Sequence, residues 1–142
     1  MLVREIMTED VKTVNVGTTV QEAIEMMGEF NIGVLPVCDH GQLAGILTDR
    51  DVVVRCFLER KSPTDTRVED VMTAEAITIR PDYTVEAAAQ RLGYHGFRRL
   101  PVVEENGRLV GMLAADDIAR QSADSVVAMM ARRIASQVRA AV

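Results

Sequence analysis

Apolar residues along this chain follow two kinds of pattern, and the pair of patterns is written twice. Val20, Ala23, Ile24 and Met27 recur at steps of three and four, the spacing of one helix face, and Thr19 with Glu22 in front of them have capping-box spacing. Two short apolar runs follow, VLPVC from Val34 and LAGILT from Leu43, separated by the polar turn DHGQ. Runs of that length bounded by turn formers predict two adjacent strands of a hairpin. A second helix is predicted from about Asp49 to Leu58. Further on, Val85, Ala88, Ala89 and Leu92 repeat the helical face, although Ala87 replaces the acid of the box. LPVV and LVGMLA repeat the strands around the turn EENG, and a helix is predicted from about Asp116 to Ser122.

The repetition extends to individual residues. Ile6-Met7-Thr8 returns as Val71-Met72-Thr73, and Val34-Leu35-Pro36-Val37 as Arg99-Leu100-Pro101-Val102, each 65 positions later. After one inserted residue the offset is 66, and Gly45 falls on Gly111, Leu47 on Leu113 and Asp51 on Asp117. Each unit reads β-α-β-β-α, with a short extended piece near Thr13-Val14 or Ile77-Thr78, so the fold class is α+β. Residues 1–59 make the first repeat, 60–67 a linker rich in charge and turn formers, and 68–122 the second repeat. A three-stranded sheet of this size leaves one face uncovered, so the repeats are expected to pack on each other about a pseudo-twofold axis. Residues 123–142 break the symmetry. There Val126, Val127, Met130, Ile134 and Val138 form an apolar stripe opposite Arg132, Arg133 and Arg139, predicting an amphipathic C-terminal helix. Because the chain as a whole is acidic, that helix is expected on the core or on a second subunit rather than on a membrane.

Charge narrows the range of partners. Sixteen basic against 21 acidic residues give a net charge of −5, which provides no basic field for a nucleic-acid backbone. No apolar run approaches the roughly 18 residues of a membrane span, and MLVREIMTEDVKTV lacks the build of a signal peptide, so the expected location is cytoplasmic. Cys38 and Cys56 form no CxxC pair and read as buried thiols, with a disulfide between them as the alternative. Cys38, His40 and Cys56 lack the tight paired spacing of a structural zinc site, and no metal is expected.

The stretch GILTDRD, Gly45 to Asp51, supports two readings. Thr48 and Asp51 fit a capping box whose side chains serve only the helix's own amides. The same free amides and positive helix end suit a phosphate, and a carboxylate one turn in suits the hydroxyls of a ribose. The second copy, GMLAADD, has Ala114 at the threonine position, which predicts a cap shifted to Ala115 or Asp116, yet it retains Asp117. The site using Thr48 and Asp51 is therefore expected to be the better one, and that using Asp117 weaker or empty.

The doubled Met-Thr openings, the two Leu-Pro-Val strands and GILTDRD together resemble a tandem pair of CBS (cystathionine-β-synthase) domains, a Bateman module, over roughly residues 1–122. The layout is also similar to the small stand-alone bacterial CBS-pair proteins that include hypoxic response protein. The resemblance implies a regulatory binding module rather than a catalyst. Its ligand would be an adenine nucleotide (AMP, ADP or ATP, ahead of NAD or S-adenosylmethionine) held in a cleft between the repeats. By position, Thr48 and Asp51 would face Thr73, Ile77 and Thr78, while Asp117 would face Thr8, Thr13 and Val14. The base would rest beside a Leu-Pro-Val strand such as that of Pro101, and Arg98 and Arg99 would hold phosphates or be solvated charges. Arg50 would join them or pair with Asp49 or Glu22. The resemblance further implies a homodimer acting on an effector protein. No Gly-x-Ser-x-Gly, P-loop or His-Glu-x-x-His occurs, and an enzyme is not expected. An interaction module with vestigial clefts and no nucleotide is the alternative.

Overall fold

The computed structural model describes residues 1–121 and 123–141, with side chains as far as Gln137. It forms two compact units, Lys12–Ala76 with Gly107–Leu109, and Met1–Val11 with Ile77–Asn106 and Val110–Val142. The opening segment of each repeat is thus built into the unit made by the other.

The first unit contains β1 (Val14–Asn15), α1 (Val20–Phe30), β2 (Val34–Asp39), β3 (Gln42–Thr48), α2 (Asp49–Val52) and β4 (Thr73–Ala74). Its sheet has the order β1-β2-β3-β4, with β1 parallel to β2 and the other pairs antiparallel. The sequence predicts three strands, and the fourth comes from the opening of the second repeat. The capping box in front of α1 forms as expected, Glu22 N–H donating to Thr19 Oγ1 at 3.2 Å and Thr19 N–H to Glu22 Oε2 at 3.4 Å. The β2–β3 hairpin turns through His40 and Gly41, whose φ angles of 51° and 82° suit a tight two-residue loop. Val14, Val20, Leu35, Val37, Leu47, Val68 and Val71 form the core between sheet and helices. Beyond α2 the chain continues as a wide π-type helical turn over Val53–Phe57, within the helix that the sequence predicts to about Leu58. Three consecutive β-branched valines, Val52 to Val54, weaken the α preference there.

The second unit contains α3 (Val85–His95), β5 (Arg99–Val103), β6 (Leu109–Ala114), α4 (Ala115–Gln121) and α5 (Asp124–Ala141). Single bridges from Ile79 to Val102 and from Thr8 to Met112 stand where the first unit has β1 and β4. The extended pieces expected at Thr13-Val14 and Ile77-Thr78 therefore pair slightly later, at Val14–Asn15 and at Ile79. The C-terminal helix lies on its own unit, with Met130 and Ile134 only 3% and 4% exposed in the core shared with Leu92 and Ile118. Arg133, expected on the polar face, is exposed, with its stem against α3. Gly93 of α3 has no side chain, so the Arg133 stem lies directly over it while the residue stays exposed. Val138 of the expected stripe, Arg139 of the face opposite it, and Ser122 of the expected fourth helix lie outside the described side chains.

One close approach recurs in both units. Gly45 pairs with Ala74 and Ile46 with Thr73, and a Cβ on Gly45 would stand 2.6 Å from the Thr73 carbonyl oxygen and 2.8 Å from Met72 Sδ. A Cβ on Gly111 would likewise meet Met7 Sδ at 2.7 Å, beside Thr8, which exchanges two 2.9 Å backbone hydrogen bonds with Met112. The glycine of each motif and the Met-Thr of each opening are thus two halves of one joint. Gly28, by contrast, has nothing within 4 Å of its notional Cβ. Urea unfolding should show Gly45→Ala and Gly111→Ala each destabilised by about 1–3 kcal/mol through overpacking, whereas Gly28→Ala should gain up to about 1 kcal/mol from helix propensity. Similar midpoints for Gly45→Ala and Gly28→Ala would contradict the close approach.

Candidate ligand-binding site

Strand β3 ends at Thr48, whose extended backbone (φ −111°, ψ 160°) makes it the N-cap of α2. Asp51 N–H donates to Thr48 Oγ1 at 3.1 Å and Thr48 N–H to Asp51 Oδ2 at 3.0 Å, so the box is complete. A third group converges from β4, the Thr73 hydroxyl donating to Asp51 Oδ1 at 3.3 Å. Arg55 stands 4.0 Å from the same oxygen and is anchored by its Nη1, which donates to the Met72 carbonyl at 2.9 Å. Asp51 is consequently buried, at 8% exposure, yet every polar contact to it is satisfied. An ionised carboxylate offers about four lone-pair sites, so these bonds leave capacity for a further donor.

The second copy keeps half of this arrangement. Ala114 N–H donates to Asp117 Oδ2 at 2.8 Å, and α4 begins at Ala115. The expected shift of the cap to Ala115 or Asp116 does not occur, because the Asp117 carboxylate bonds back to the Ala114 amide and holds it at the cap position without a hydroxyl. Arg120 Nη2 lies 2.9 Å from Asp117 Oδ1 and takes up its other oxygen. Neither Arg55 nor Arg120 was singled out by motif, but both stand three or four residues after their aspartate on a helical turn, a spacing that predicts such pairs.

The structure brings Thr48, Asp51 and Thr73 together. Thr13 and Val14 belong to the same compact unit, where they line a depression of about 310 Å³ with Cys38 and His40. Thr8, Ile77, Thr78, Arg98, Arg99 and Pro101 belong to the unit of Asp117. There Ile77 packs on the core, the Thr78 carbonyl accepts from Arg91 Nη1 at 2.8 Å, and Pro101 is buried in β5. Arg98 and Arg99 are exposed, and the Arg98 carbonyl accepts the Ala115 N–H at 2.8 Å. The pairing of Arg50 with Asp49 or Glu22 does not form; its guanidinium is exposed, and its backbone N–H takes Asp49 Oδ1 at 2.8 Å. Cys38 and Cys56 are free thiols, not the alternative disulfide, and burial pushes the Cys38 thiol above its ordinary value. Among the described residues no three His, Cys, Asp or Glu side chains converge as metal ligands, and no helix is long and apolar enough to cross a membrane.

A doubled α+β unit in which a strand ends on an aspartate-held helix start, completed by the other repeat's opening, defines a tandem-repeat module. The chain belongs to the CBS domain family, whose pattern matches residues 3–56 and 68–124. It is 39% identical over 117 residues to the CBS domain-containing protein YhcV of Bacillus subtilis (strain 168), 82% of each chain. It spans only 23% of the length of the next curated relatives it matches. Among solved structures it is similar to Hypoxic Response Protein I with two coordinated zinc ions (31% identity, TM-score 0.78, 87% of this chain and 100% of that one). It is also similar to CBSX2 of Arabidopsis thaliana in complex with AMP (33%, TM-score 0.74, 84% and 93%). The CBS pair of protein MJ0100, in complex with 5′-methylthioadenosine and S-adenosyl-L-methionine, is similar too (30%, TM-score 0.73, 84% and 94%).

Thr48→Ala should lower stability by about 1 kcal/mol in urea unfolding and Thr48→Ser should restore it, whereas Ala114→Ser should gain about 0.5–1 kcal/mol by completing the second box. No change at either position would mean that neither hydroxyl caps. Because burial raises the Cys38 thiol, its reaction with a thiol-disulfide reagent should be slower at pH 7.5 than that of a free peptide cysteine and should keep rising at pH values where the peptide has levelled off. Identical pH profiles would contradict that burial.

Proposed function

We propose that this CBS pair is a regulatory sensor that binds an adenine nucleotide through Thr48, Asp51 and Thr73, with AMP, ADP and ATP ahead of NAD and S-adenosylmethionine. The observation that carries the reading is the convergence of both repeats on one buried carboxylate, that of Asp51, which accepts from the Thr48 N–H of the first repeat and from the Thr73 hydroxyl of the second. Ribose hydroxyls donate to carboxylates with the same chemistry that Thr73 uses, so a bound ribose competes with or adds to the Thr73 bond. Exposed Arg50, which makes no ion pair among the described residues, supplies a cation for phosphate on that unit, and exposed Arg98 and Arg99 supply cations on the unit of Asp117. The AMP complex of CBSX2 and the adenosyl complexes of MJ0100 support the ligand class. Thr13 and Val14 complete the proposed ligand-contacting set on the unit of Thr48, and Thr8, Ile77, Thr78, Pro101 and Asp117 form the proposed set on the other unit, with the Asp117 motif the weaker. Its carboxylate is already held by Arg120, and the hydroxyl is missing.

Ligand binding shifts a protein only by its difference in affinity for two shapes. Because Thr73 belongs to the second repeat and Asp51 to the first, a ligand that rearranges their hydrogen bond alters how the β4 opening is held against β3. The protein in this reading is a homodimeric, cytoplasmic, non-catalytic module whose ligand state is read by an effector protein. A second reading is favoured by the complete capping box: Thr48 and Asp51 serve only α2, and the protein is an interaction module without nucleotide.

Isothermal titration of nucleotide-free protein with AMP, ADP, ATP, NAD and S-adenosylmethionine separates them. Saturable binding of an adenine nucleotide is expected, weakened at least about tenfold in Asp51→Ala by loss of charge-assisted hydrogen bonds and less in Asp117→Ala. Silence across the panel would establish the interaction module, and equal losses in the two variants would overturn the preference for the Thr48 motif.

A further inference from the structure

Asp51 and Asp117 each have an arginine within reach, and the two arginines are used differently. In α4, Arg120 stands three residues after its aspartate and meets Asp117 Oδ1 directly at 2.9 Å. Arg55 stands four residues after Asp51, and the residue 66 positions on from it is Gln121, so the two arginines are not counterparts in the repeat. Arg55 Nε stops 4.0 Å from Asp51 Oδ1, beyond hydrogen-bond distance. Its Nη1 donates instead to the Met72 carbonyl at 2.9 Å, with the Val71 carbonyl 3.5 Å away. The backbone between Asp51 and Arg55 accounts for the difference. Arg55 lies in the turn Val53–Phe57, which closes with the Leu58 N–H donating to the Val53 carbonyl, five residues back, at 2.9 Å. Widening of this kind, which recurs at functional sites, carries the arginine past a direct pair with the carboxylate and onto the opening of the second repeat.

We propose that Arg55 is a positioning residue for ligand binding at the Asp51 motif. A guanidinium carries five donors in one rigid plane, so one arm holds the Met72 backbone while the cation stays beside Asp51. Met72 precedes Thr73, whose hydroxyl lies 3.3 Å from Asp51 Oδ1 and 3.5 Å from Oδ2. Holding Met72 therefore holds the Thr73 hydroxyl against the carboxylate. Asp51 Oδ2 accepts the Thr48 N–H at 3.0 Å, whereas Oδ1 carries the longer Thr73 bond and has the arginine at 4.0 Å, which leaves it the better placed of the two for a ribose hydroxyl. At Asp117 the same oxygen is taken by Arg120. An arginine anchored on backbone lends the site its charge without occupying it, and an arginine paired directly stands where the ligand would. The inference rests on the nucleotide reading and adds to it the residue that keeps the Asp51 oxygen both aligned and available.

Titration calorimetry of the full chain with AMP tests this, and Arg55 is exposed, so its replacement leaves the core intact. Arg55→Met keeps the stem but loses the charge and the anchor, and should weaken AMP at least about fivefold. Arg55→Lys keeps the charge and a donor for Met72, and should recover most of that loss. Arg67→Met is the control, because Arg67 Nη1 donates to the Gly17 carbonyl at 2.7 Å in the same unit, an equivalent anchor beside the start of α1. Its AMP affinity should stay within about twofold of the wild type. Without ligand, amide exchange across Met72–Ala74 should be faster in Arg55→Met and unchanged in Arg67→Met. Binding that is lost in Asp51→Ala but kept in Arg55→Met overturns this inference alone. So does a loss in Arg55→Met that Arg67→Met matches or that Arg55→Lys leaves unrecovered. Absence of AMP binding by the wild type overturns the nucleotide reading and this inference with it.

Discussion

The pairing of each motif strand with the opening of the other repeat is the contact on which the rest of the molecule depends. At Gly45 the backbone of β4 comes too close for any side chain, and Met72 fills the space beside it. That approach fixes Thr73 within hydrogen-bond reach of Asp51, and Arg55 ties the same segment down through the Met72 carbonyl. Moving β4 outward by the width of a methyl group would separate the Thr73 hydroxyl from the carboxylate. The sheet joint and the candidate site are therefore one structural feature, and neither repeat contains the whole of it.

Most of the fold was legible because the repeat supplied each element twice. Thr19, Glu22 and the helical spacing after them gave α1 its start and its buried face, and the runs around DHGQ and EENG gave the hairpins. The fourth strand was not legible: Thr73–Ala74 is only two residues long, and its pairing is a long-range contact that no local period records. The π-type turn after α2 was missed because spacing alone does not weigh the crowding of three valines. In the site, Thr48 and Asp51 could be found from their spacing, and the family resemblance implied that Thr73 would face them, but not the hydrogen bond its hydroxyl makes to Asp51. Arg55 and Arg120 were overlooked although helical spacing would have pointed to them. Arg133 is exposed as its polar-face position predicts, but the sequence pattern does not show that Gly93 opens a seat for its stem.

The two copies differ in their helix caps and in how their helical faces are covered. The first retains the hydroxyl that completes the cap and leaves its helical face uncovered. The second has lost the hydroxyl, holds its aspartate with Arg120 at 2.9 Å, and is sealed by α5.

Amide hydrogen exchange with and without AMP tests this account most directly, because it locates a ligand and its consequence in the same experiment. The account predicts slower exchange on adding AMP in the peptides spanning Thr48–Val52 and Met72–Ala74, with that protection lost in Asp51→Ala. Unchanged exchange at both segments under saturating AMP, or protection confined to other parts of the chain, would contradict it.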